Sequence, residues 1–345
     1  MYKFVIRLPL SYKRVVSFDK IRHYSCENND TIILLNCRGV NFLLEVRIPE
    51  YFKSNSMHLL IDKVIDGDMR PLHDQMNFNF SDLKYIEPPG VTILSNLLQW
   101  LHSKGVEVLF TYPSDIKDRI KKDPLIYLDD SMFFKKFLKK CLTDNAAVRS
   151  TTIEIQDVAY SDSYQWLQFQ FIPWLANRLD LNPLSLNDIS MCFGEIFNNI
   201  KDHAEQNIGC IFAQHYPNKH EVNITISDFG VGIPDTIRRV VPTLTDKEAL
   251  EKAVQEGFSS QSTPKNRGAG LHTLVQNIVI NYGGEVHIRS FRGILTCTRN
   301  NFNELCLNSY HGKNNYPGTL IEIILNTEHI ENIEDDEEEF NWEDF

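Results

Sequence analysis

Residues 187–204 carry polar side chains that share one face of a predicted helix. Apolar residues recur in this segment at helical spacing and predict a buried stripe formed by Ile189, Phe193, Ile196, Phe197 and Ile200. Glu195, Asn199 and His203 follow one another at intervals of four residues, so they project from nearly the same side of the helix. A row of a carboxylate, an amide and an imidazole beside a buried stripe lies at the edge of the core, where a polar ligand could bind. The alternative is an ordinary solvated helix face.

A second candidate site lies at the end of the predicted strand 221–228. The apolar residues of this strand occupy even-numbered positions: Val222, Ile224 and Ile226. Asp228 continues that parity, so a strand that buries these positions directs its carboxylate toward the core. A buried carboxylate without a partner is costly, and a ligand donor such as the exocyclic amine of a purine would satisfy it. Gly230 and Gly232 follow and would let the backbone approach a flat ring closely. The alternative is a strand that ends in a turn with an Asx hydrogen bond.

A third candidate is the entrance to a predicted helix near residue 270. A loop rich in Ser, Thr and Gly runs into Gly268, Ala269 and Gly270, and a helical pattern follows. Glycines at a helix entrance expose backbone N–H groups to an anion, and the helix dipole adds to this attraction. Arg267 can add charge-assisted contacts to a phosphate group. The alternative is an ordinary flexible loop with a glycine-rich entry.

Other nucleotide-binding patterns are not met in this sequence. It contains no GxxxxGK[ST] loop, and no His or Cys cluster has metal-ligand spacing. Asp228, Phe229 and Gly230 spell the DFG of protein kinases, but no HRD catalytic loop precedes them. The glycines at 268 and 270 lack the third glycine and the preceding strand of a dinucleotide-binding fingerprint.

Taken together and in order, the three candidates resemble the GHKL ATPase superfamily of gyrase, Hsp90, histidine kinases and MutL. The resemblance covers about residues 150–328 and implies a Bergerat-type α/β sandwich with helices on one face of a mixed sheet. The matching motifs are Glu195-x-x-x-Asn199-x-x-x-His203, Asp228-x-Gly230-x-Gly232, Arg267-Gly268-Ala269-Gly270-Leu271, and Pro317-Gly318-Thr319 before a strand. In that family they form the N box, the adenine-binding box, the phosphate-binding box and the Gly-Thr that supports the adenine site.

The resemblance implies ATP and Mg²⁺ as cofactors and assigns roles to individual residues. Asn199 would coordinate Mg²⁺ between the phosphates, and Glu195 would be the catalytic residue that polarises an attacking water or hydroxyl. Asp228 would bind the adenine amine with support from Thr319. Residues 243–266 would form the ATP lid. The remaining nucleotide contacts would come from His203, Gly230, Gly232, Ile233, Arg267, Gly268, Ala269, Gly270, Leu271 and His272.

Within the superfamily, the compact form and the histidine that ends the N box are most similar to histidine-kinase-like ATP-binding domains and to anti-sigma-factor serine kinases. The expected function is Mg-ATP binding with slow hydrolysis, acting as a regulatory switch through closure of the lid. Two alternatives stay open. One is a serine/threonine protein kinase that acts on a partner protein, and the other is a nucleotide sensor or interaction module without turnover.

The first part of the chain predicts a smaller α/β domain. Strand-like runs precede a strand–helix–strand pattern in which Pro88 and Pro89 mark the helix entry and Gly105 marks its end. This order implies a parallel pair of strands. Residues 70–115 resemble the STAS family, the fold of anti-anti-sigma factors, which implies a scaffold or interaction domain. The turn that carries the phosphoacceptor in that family reads Glu87-Pro88-Pro89-Gly90 here and has no hydroxyl, while Thr92 is displaced from it.

The sequence therefore predicts an α/β protein with four segments. These are a STAS-like domain at 1–115, a helical connector at 116–149, the GHKL domain at 150–328 and a disordered acidic tail at 329–345. In the connector, the lysines of the KDRIKKD and FFKKFLKKC runs are expected to solvate helices whose Phe and Leu side chains pack inward. A protein partner is expected to bind through the STAS-like domain or through the tail, and a homodimer is compatible with the sequence.

Composition narrows the classes of function. The 345 residues carry a net charge of −11, but residues 328–345 hold ten carboxylates and no Lys or Arg, so the rest of the chain is near neutral. A near-neutral body argues against general nucleic-acid binding. No apolar run is long enough for a membrane span, and no signal peptide is recognised, so a cytoplasmic location is expected. The scattered cysteines fit free thiols in a reducing compartment: Cys26, Cys37, Cys141, Cys192, Cys210, Cys297 and Cys306.

Overall fold

A computed structural model describes residues 2–6, 32–36, 39–203, 208–257 and 270–333. Side chains are described for 43–198, 210–257 and 270–333. The chain divides into two compact units, one of residues 1–149 with 314–316 and the other of residues 150–313 with 317–345.

The first unit contains parallel and antiparallel strands with helices between them. Its elements are β1 (Tyr2–Ile6), β2 (Ile32–Asn36), β3 (Gly39–Arg47), β4 (Tyr51–Phe52), α1 (His58–Ile61), β5 (Gln75–Asn79), β6 (Tyr85–Ile86), α2 (Pro88–Ser103), β7 (Glu107–Tyr112), α3 (Pro124–Asp130) and α4 (Phe133–Leu138). Five strands form one sheet in the order β1-β7-β5-β3-β2, and β4 pairs with β6 separately. The β3–β5 and β5–β7 pairs are parallel, and the outer pairs β1–β7 and β2–β3 are antiparallel.

The predicted strand–helix–strand unit is confirmed by β5, α2 and β7. Pro88 and Pro89 occupy the first turn of α2, where their missing N–H groups cost no helical hydrogen bond. Gly105 ends the helical segment with a φ of +79°, a conformation that favours glycine. The apolar face of α2 is buried, so the sheet and the helix share one core.

Residues 116–149 belong to the first unit and do not form a separate connector. Phe133 and Phe134 of α4 are buried, and their rings contact Phe80 and Phe110 at centroid distances between 5.6 and 6.3 Å. Lys135 is exposed on the opposite side of the same helix. The expected division between inward aromatic and outward lysine side chains is therefore confirmed. Sequence alone could not show that these aromatic rings complete the core of the preceding sheet.

The second unit packs helices against one antiparallel sheet. Its elements are β8 (Gln156–Ala159), α5 (Tyr160–Trp166), α6 (Ile172–Leu179), α7 (Asn187–His203), β9 (Ile208–Tyr216), β10 (Glu221–Asp228), α8 (Gly232–Arg238), α9 (Asp246–Ala253), α10 (Gly270–Val275), β11 (Glu285–Arg299) and β12 (Leu305–Asn326). A π-helical segment, Leu167–Phe171, joins α5 to α6, and a second, Gln276–Asn281, follows α10. The sheet order is β11-β12-β10-β9-β8.

The prediction of a mixed sheet in this unit is not met by the pairings of β8, β9, β10 and β12. The pairs β8–β9, β9–β10 and β10–β12 are all antiparallel. The β9–β10 hairpin turns at Pro217–Lys219, and so short a connection can join only antiparallel strands. The parallel pairs of the molecule lie in the first unit, so the α/β class holds while the distribution of strand directions differs from the expectation.

One face of this sheet and the helices share a single apolar core. Val222, Ile224 and Ile226 of β10 are buried in it, as the sequence predicted, although Thr225 and Ser227 of the same strand are buried as well. The helical stripe of α7 lies in the same core through Ile189, Phe193 and Ile196. Because the helix and the strand face each other across this core, their polar edges lie at its border.

At the start of this unit, β8 is limited to Gln156–Ala159, and an isolated bridge between Thr152 and Gln214 precedes it. At its end, the structure differs from the sequence-based boundary. Residues 329–333, which the sequence assigned to the tail, are held in place because Asn332 Oδ1 accepts the N–H of Asn182 at 2.9 Å. The rest of the tail, 334–345, lies outside the described residues. Within the described part of the chain, no helix is both long and apolar enough to cross a membrane.

Candidate functional site

Two of the sequence motifs meet at the end of β10. In the antiparallel register of β10 and β12, Asp228 is directly opposite Thr319. The neighbouring Ser227 strengthens this pairing because its Oγ donates to the carbonyl oxygen of Thr319 at 3.2 Å. Thr319 is buried, and Asp228 is half-buried at the border of the core. The structure thus brings together an aspartate and a threonine that are distant in sequence.

The carboxyl group of Asp228 lies in a poorly solvated environment. Its Oδ1 accepts the backbone N–H of Gly230 at 2.7 Å, which is the Asx hydrogen bond that the sequence left open as an alternative. Burial raises the pKa of this carboxyl to about 6, although hydrogen bonds from the backbone of Gly230 and Thr319 act in the opposite direction. No cation of the described residues forms an ion pair with it. The Asp228 carboxylate can therefore accept a hydrogen bond from a further donor.

Glycine is required on both sides of Asp228. Gly232 has a φ of +74°, and a Cβ atom there would approach Ser290 Oγ to 2.8 Å. Gly318 has a φ of +78°, and a Cβ atom there would clash with the backbone of Asp228. Both positions therefore combine a left-handed backbone with a close approach, which only glycine tolerates without rearrangement. The turns that carry Gly232 and Gly318 are consequently packed closely around Asp228 and Ser290.

Ser290 connects these segments and was missed by the sequence reasoning. Its buried Oγ donates to the carbonyl oxygen of Gly318 at 2.6 Å and accepts the N–H of Ile233 at 3.0 Å. The same oxygen lies 3.5 Å from Thr319 Oγ1. Ser290 thus fixes the start of α8 against β12. A signal was present in the sequence, because Ser290 continues the inward parity of the buried residues Val286 and Ile288 in β11.

Helix α7 places Glu195 at the border of the same core. Glu195 is half-buried, and α7 packs against both α8 and α10. One turn before Glu195, the Sγ of Cys192 contacts the carbonyl oxygen of Thr273 in α10 at 4.0 Å. Asn199 and His203 lie on the backbone of α7, but their side chains lie outside the described residues. The structure therefore brings the helix of Glu195 next to the helix that begins at Gly270.

The glycine-rich entrance is described only in part. Helix α10 begins at Gly270, as the sequence predicted, and Leu271 and His272 in its first turn are half-buried. Leu271 packs against the core of the second unit. Arg267, Gly268 and Ala269 lie outside the described residues.

Part of the range 243–266, which the sequence assigned to a lid, is folded into the second unit. Helix α9 lies inside that range, is capped by Thr245 and Glu248, and buries Ala249 and Leu250. Asp246 accepts Arg238 Nη1 at 2.7 Å and the backbone N–H of Arg292 at 3.1 Å. This segment is therefore part of the packed unit. The remainder of the expected lid, 258–266, lies outside the described residues.

Two features of the described residues bear on the type of ligand. No group of three or more His, Cys, Asp or Glu side chains among them could hold a metal ion. At the end of β10 they present one carboxylate acceptor, Asp228, beside the turns of Gly232 and Gly318. A scan against protein-family models finds no match for the chain, and a search of curated proteins finds none either. Any assignment of function therefore depends on the residues and on their placement.

Proposed function

We propose that the second unit is a Mg-ATP-binding domain of the GHKL superfamily, with a Bergerat-type fold, that hydrolyses ATP slowly and acts as a regulatory switch. The observation that supports this most strongly is the meeting of Asp228, Gly232, Gly318 and Thr319 around Ser290. Their sequence motifs are separated by about a quarter of the chain, yet they form one small surface. If the resemblance of these short motifs were accidental, there would be no reason for their residues to lie together.

The adenine end of the proposed site is formed by Asp228 and the glycine turns. The carboxylate would accept the exocyclic amine of adenine, which replaces the water that burial has removed from it. Gly232 is required by the packing of this end, because a Cβ atom there would approach Ser290 Oγ to 2.8 Å. Thr319 supports the carboxylate through its backbone hydrogen bond. These contacts favour adenine over guanine, since guanine presents an acceptor at the position of the adenine amine.

The phosphate end of the proposed site would lie between α7 and the start of α10. Arg267, Gly268, Ala269 and Gly270 would donate to the phosphate oxygens at the helix entrance. Asn199 would hold the Mg²⁺, which neutralises the charge of the phosphates when bound. Glu195 would orient and polarise the attacking water.

Phosphate release by the full chain tests this proposal. Wild-type protein is expected to release phosphate from Mg-ATP, and Glu195→Gln is expected to bind ATP with similar affinity while losing hydrolysis by about a hundredfold or more. Glu221→Gln, a neutral change at the opposite end of β10, is the matched control and should keep wild-type turnover. Equal turnover in wild type and Glu195→Gln would remove Glu195 from the proposed chemistry.

The same assay with radiolabelled ATP separates the alternatives. Label that transfers to an added protein would identify a serine/threonine kinase. ATP binding without phosphate release or label transfer would identify a nucleotide sensor. Release of free phosphate with unlabelled protein supports the proposed ATPase.

We also propose that the first unit is a STAS-like scaffold for a protein partner. The parallel β5–α2–β7 unit and the proline-rich helix entry support this proposal. Thr92 is fully buried, and the described turn at 87–90 has no hydroxyl of its own. The proposed scaffold would therefore not be switched by phosphorylation at that turn.

A further inference from the structure

The first unit contains an open cleft of about 770 Å³ that the proposed function does not use. It is lined by residues 47–50, 81–84, 119–120 and 122–124, together with Leu59 and Lys63. The first two segments follow the carboxyl ends of the parallel strands β3 and β5, and the third lies on the connection that leaves β7. In open α/β sheets, ligands bind at this edge, and the size of the cleft is typical of small-molecule sites.

Two lysines of the cleft are left without an ion pair. Within the lining, Arg47 pairs with Asp82, Lys84 with Glu50, and Arg119 with Asp123. Arg47 and Arg119 also pair with carboxylates just outside the lining, Glu45 and Asp115. Lys63 and Lys122 are exposed, and neither forms an ion pair with a described residue. These two ammonium groups are therefore available to an anionic ligand.

The same cleft offers apolar surface beside these lysines. Ile120 is 70% exposed and Leu59 is 49% exposed, although both are large apolar side chains. A ligand that covers them would remove apolar area from water while its charged group remains near the lysines. The lining therefore suits a molecule with one anionic end and one apolar body better than it suits an inorganic ion.

We propose that this cleft binds a small organic phosphate that carries two negative charges and an apolar or aromatic body. The phosphate would be held by Lys63 and Lys122, and the body would lie on Leu59 and Ile120. Arg47 and Lys84 keep solvent-exposed side chains in their ion pairs, so they can turn toward a phosphate without leaving a buried charge. This inference does not depend on ATP binding by the second unit.

Calorimetric titration of the full chain with phenyl phosphate tests the proposal. Inorganic phosphate and phenol supply the charged and apolar ends alone, and each is expected to bind more weakly than phenyl phosphate. The double variant Lys63→Gln/Lys122→Gln is expected to weaken phenyl phosphate binding by about tenfold or more. The matched control Lys104→Gln/Lys121→Gln removes the same charge from exposed lysines outside the lining and should keep wild-type affinity.

Three results would overturn the proposal. Wild-type protein that does not bind phenyl phosphate at millimolar concentration would exclude the site. Equal weakening in both double variants would show a general effect of net charge. Loss of binding in Arg267→Gln, with wild-type affinity in Lys63→Gln/Lys122→Gln, would place the phosphate in the second unit. Unchanged ATP affinity in Lys63→Gln/Lys122→Gln is expected in every case, so failure here is distinguishable from failure of the proposed ATPase.

Discussion

Asp228 makes a structural hydrogen bond and also has a proposed role in ligand binding. Its carboxylate accepts the N–H of Gly230, yet burial raises its pKa to about 6. A group with so high a pKa exchanges protons near neutral pH, whereas an exposed aspartate is ionised throughout that range. The protonated form loses acceptor capacity toward an amine. Ligand binding at this site should therefore respond to mild acid.

ATP affinity is expected to fall as the pH is lowered through about 6. The ionised carboxylate of Asp228 is a better acceptor for the adenine amine than the protonated carboxyl group. ATP binding should therefore be roughly tenfold weaker at pH 5 than at pH 7. Calorimetric titration across this range measures the effect. Because ATP itself titrates, Asp228→Asn serves as the reference, and it should show only the weaker dependence that belongs to the ligand. Identical profiles for the two proteins would contradict the proposed role of Asp228.

The glycine at 318 provides a test that does not require ligand. Gly318→Ala is expected to lower the free energy of unfolding by about 3 kcal/mol, because a positive φ and a clash with the Asp228 backbone add together. Chemical denaturation of the full chain measures this change. Gly194→Ala is the control, since a Cβ atom there meets no atom within 4 Å, and it should leave stability equal or raise it by up to about 1 kcal/mol. Equal midpoints for the two variants would contradict the described packing at Gly318.

At the scale of elements, the sequence predicted best where a local rule determines the outcome. The bounds of α2 follow from Pro88 and Gly105, since proline has no N–H to lose in the first turn and glycine accepts a positive φ. The β9–β10 hairpin follows from its turn residues. Between α5 and α6 the chain stays helical, and the π-helical segment Leu167–Phe171 precedes Pro173, which cannot supply a backbone N–H to the helix.

Elements whose position depends on distant partners were predicted less well. The strand direction in the second unit depends on pairing between segments far apart, which alternation of residues does not reveal. Most residues of helix α9 are polar, yet its Ala249 and Leu250 are buried in the second unit. The inward direction of Ser290 follows from the parity of its strand, but its contacts could not be predicted because Ile233 and Gly318 lie on other elements.

The aromatic cluster of α4 gives a prediction at this scale. Phe133 is fully buried and stacks on Phe110 at a centroid distance of 6.1 Å. Phe133→Ala is therefore expected to cost about 3–5 kcal/mol of stability, because it removes a ring and leaves a cavity. Hydrogen exchange of the β7 amides in the full chain measures the loss. Lys135→Ala, on the exposed side of the same helix, should stay within about 0.5 kcal/mol of wild type. Protected β7 amides in Phe133→Ala would show that α4 does not stabilise the first unit.

At the scale of the whole molecule, the two units carry different proposed chemistry. The second unit presents one acceptor and a backbone surface shaped by Gly232 and Gly318. The first presents a cleft with unmatched lysines. The chain outside residues 328–345 is near neutral as a whole, so recognition is expected to come from these local arrangements.

ATP binding by wild type and Asp228→Asn, with and without Mg²⁺, tests the central claim most directly. Wild-type protein is expected to bind ATP more tightly with Mg²⁺ than without it. Asp228→Asn is expected to weaken ATP binding by about tenfold or more, because an amide places a donor against the adenine amine. Asp162→Asn, an exposed change on α5, should bind as wild type does. The proposed adenine site would be contradicted if Asp228→Asn bound ATP as tightly as wild type, or if wild type did not bind ATP at all.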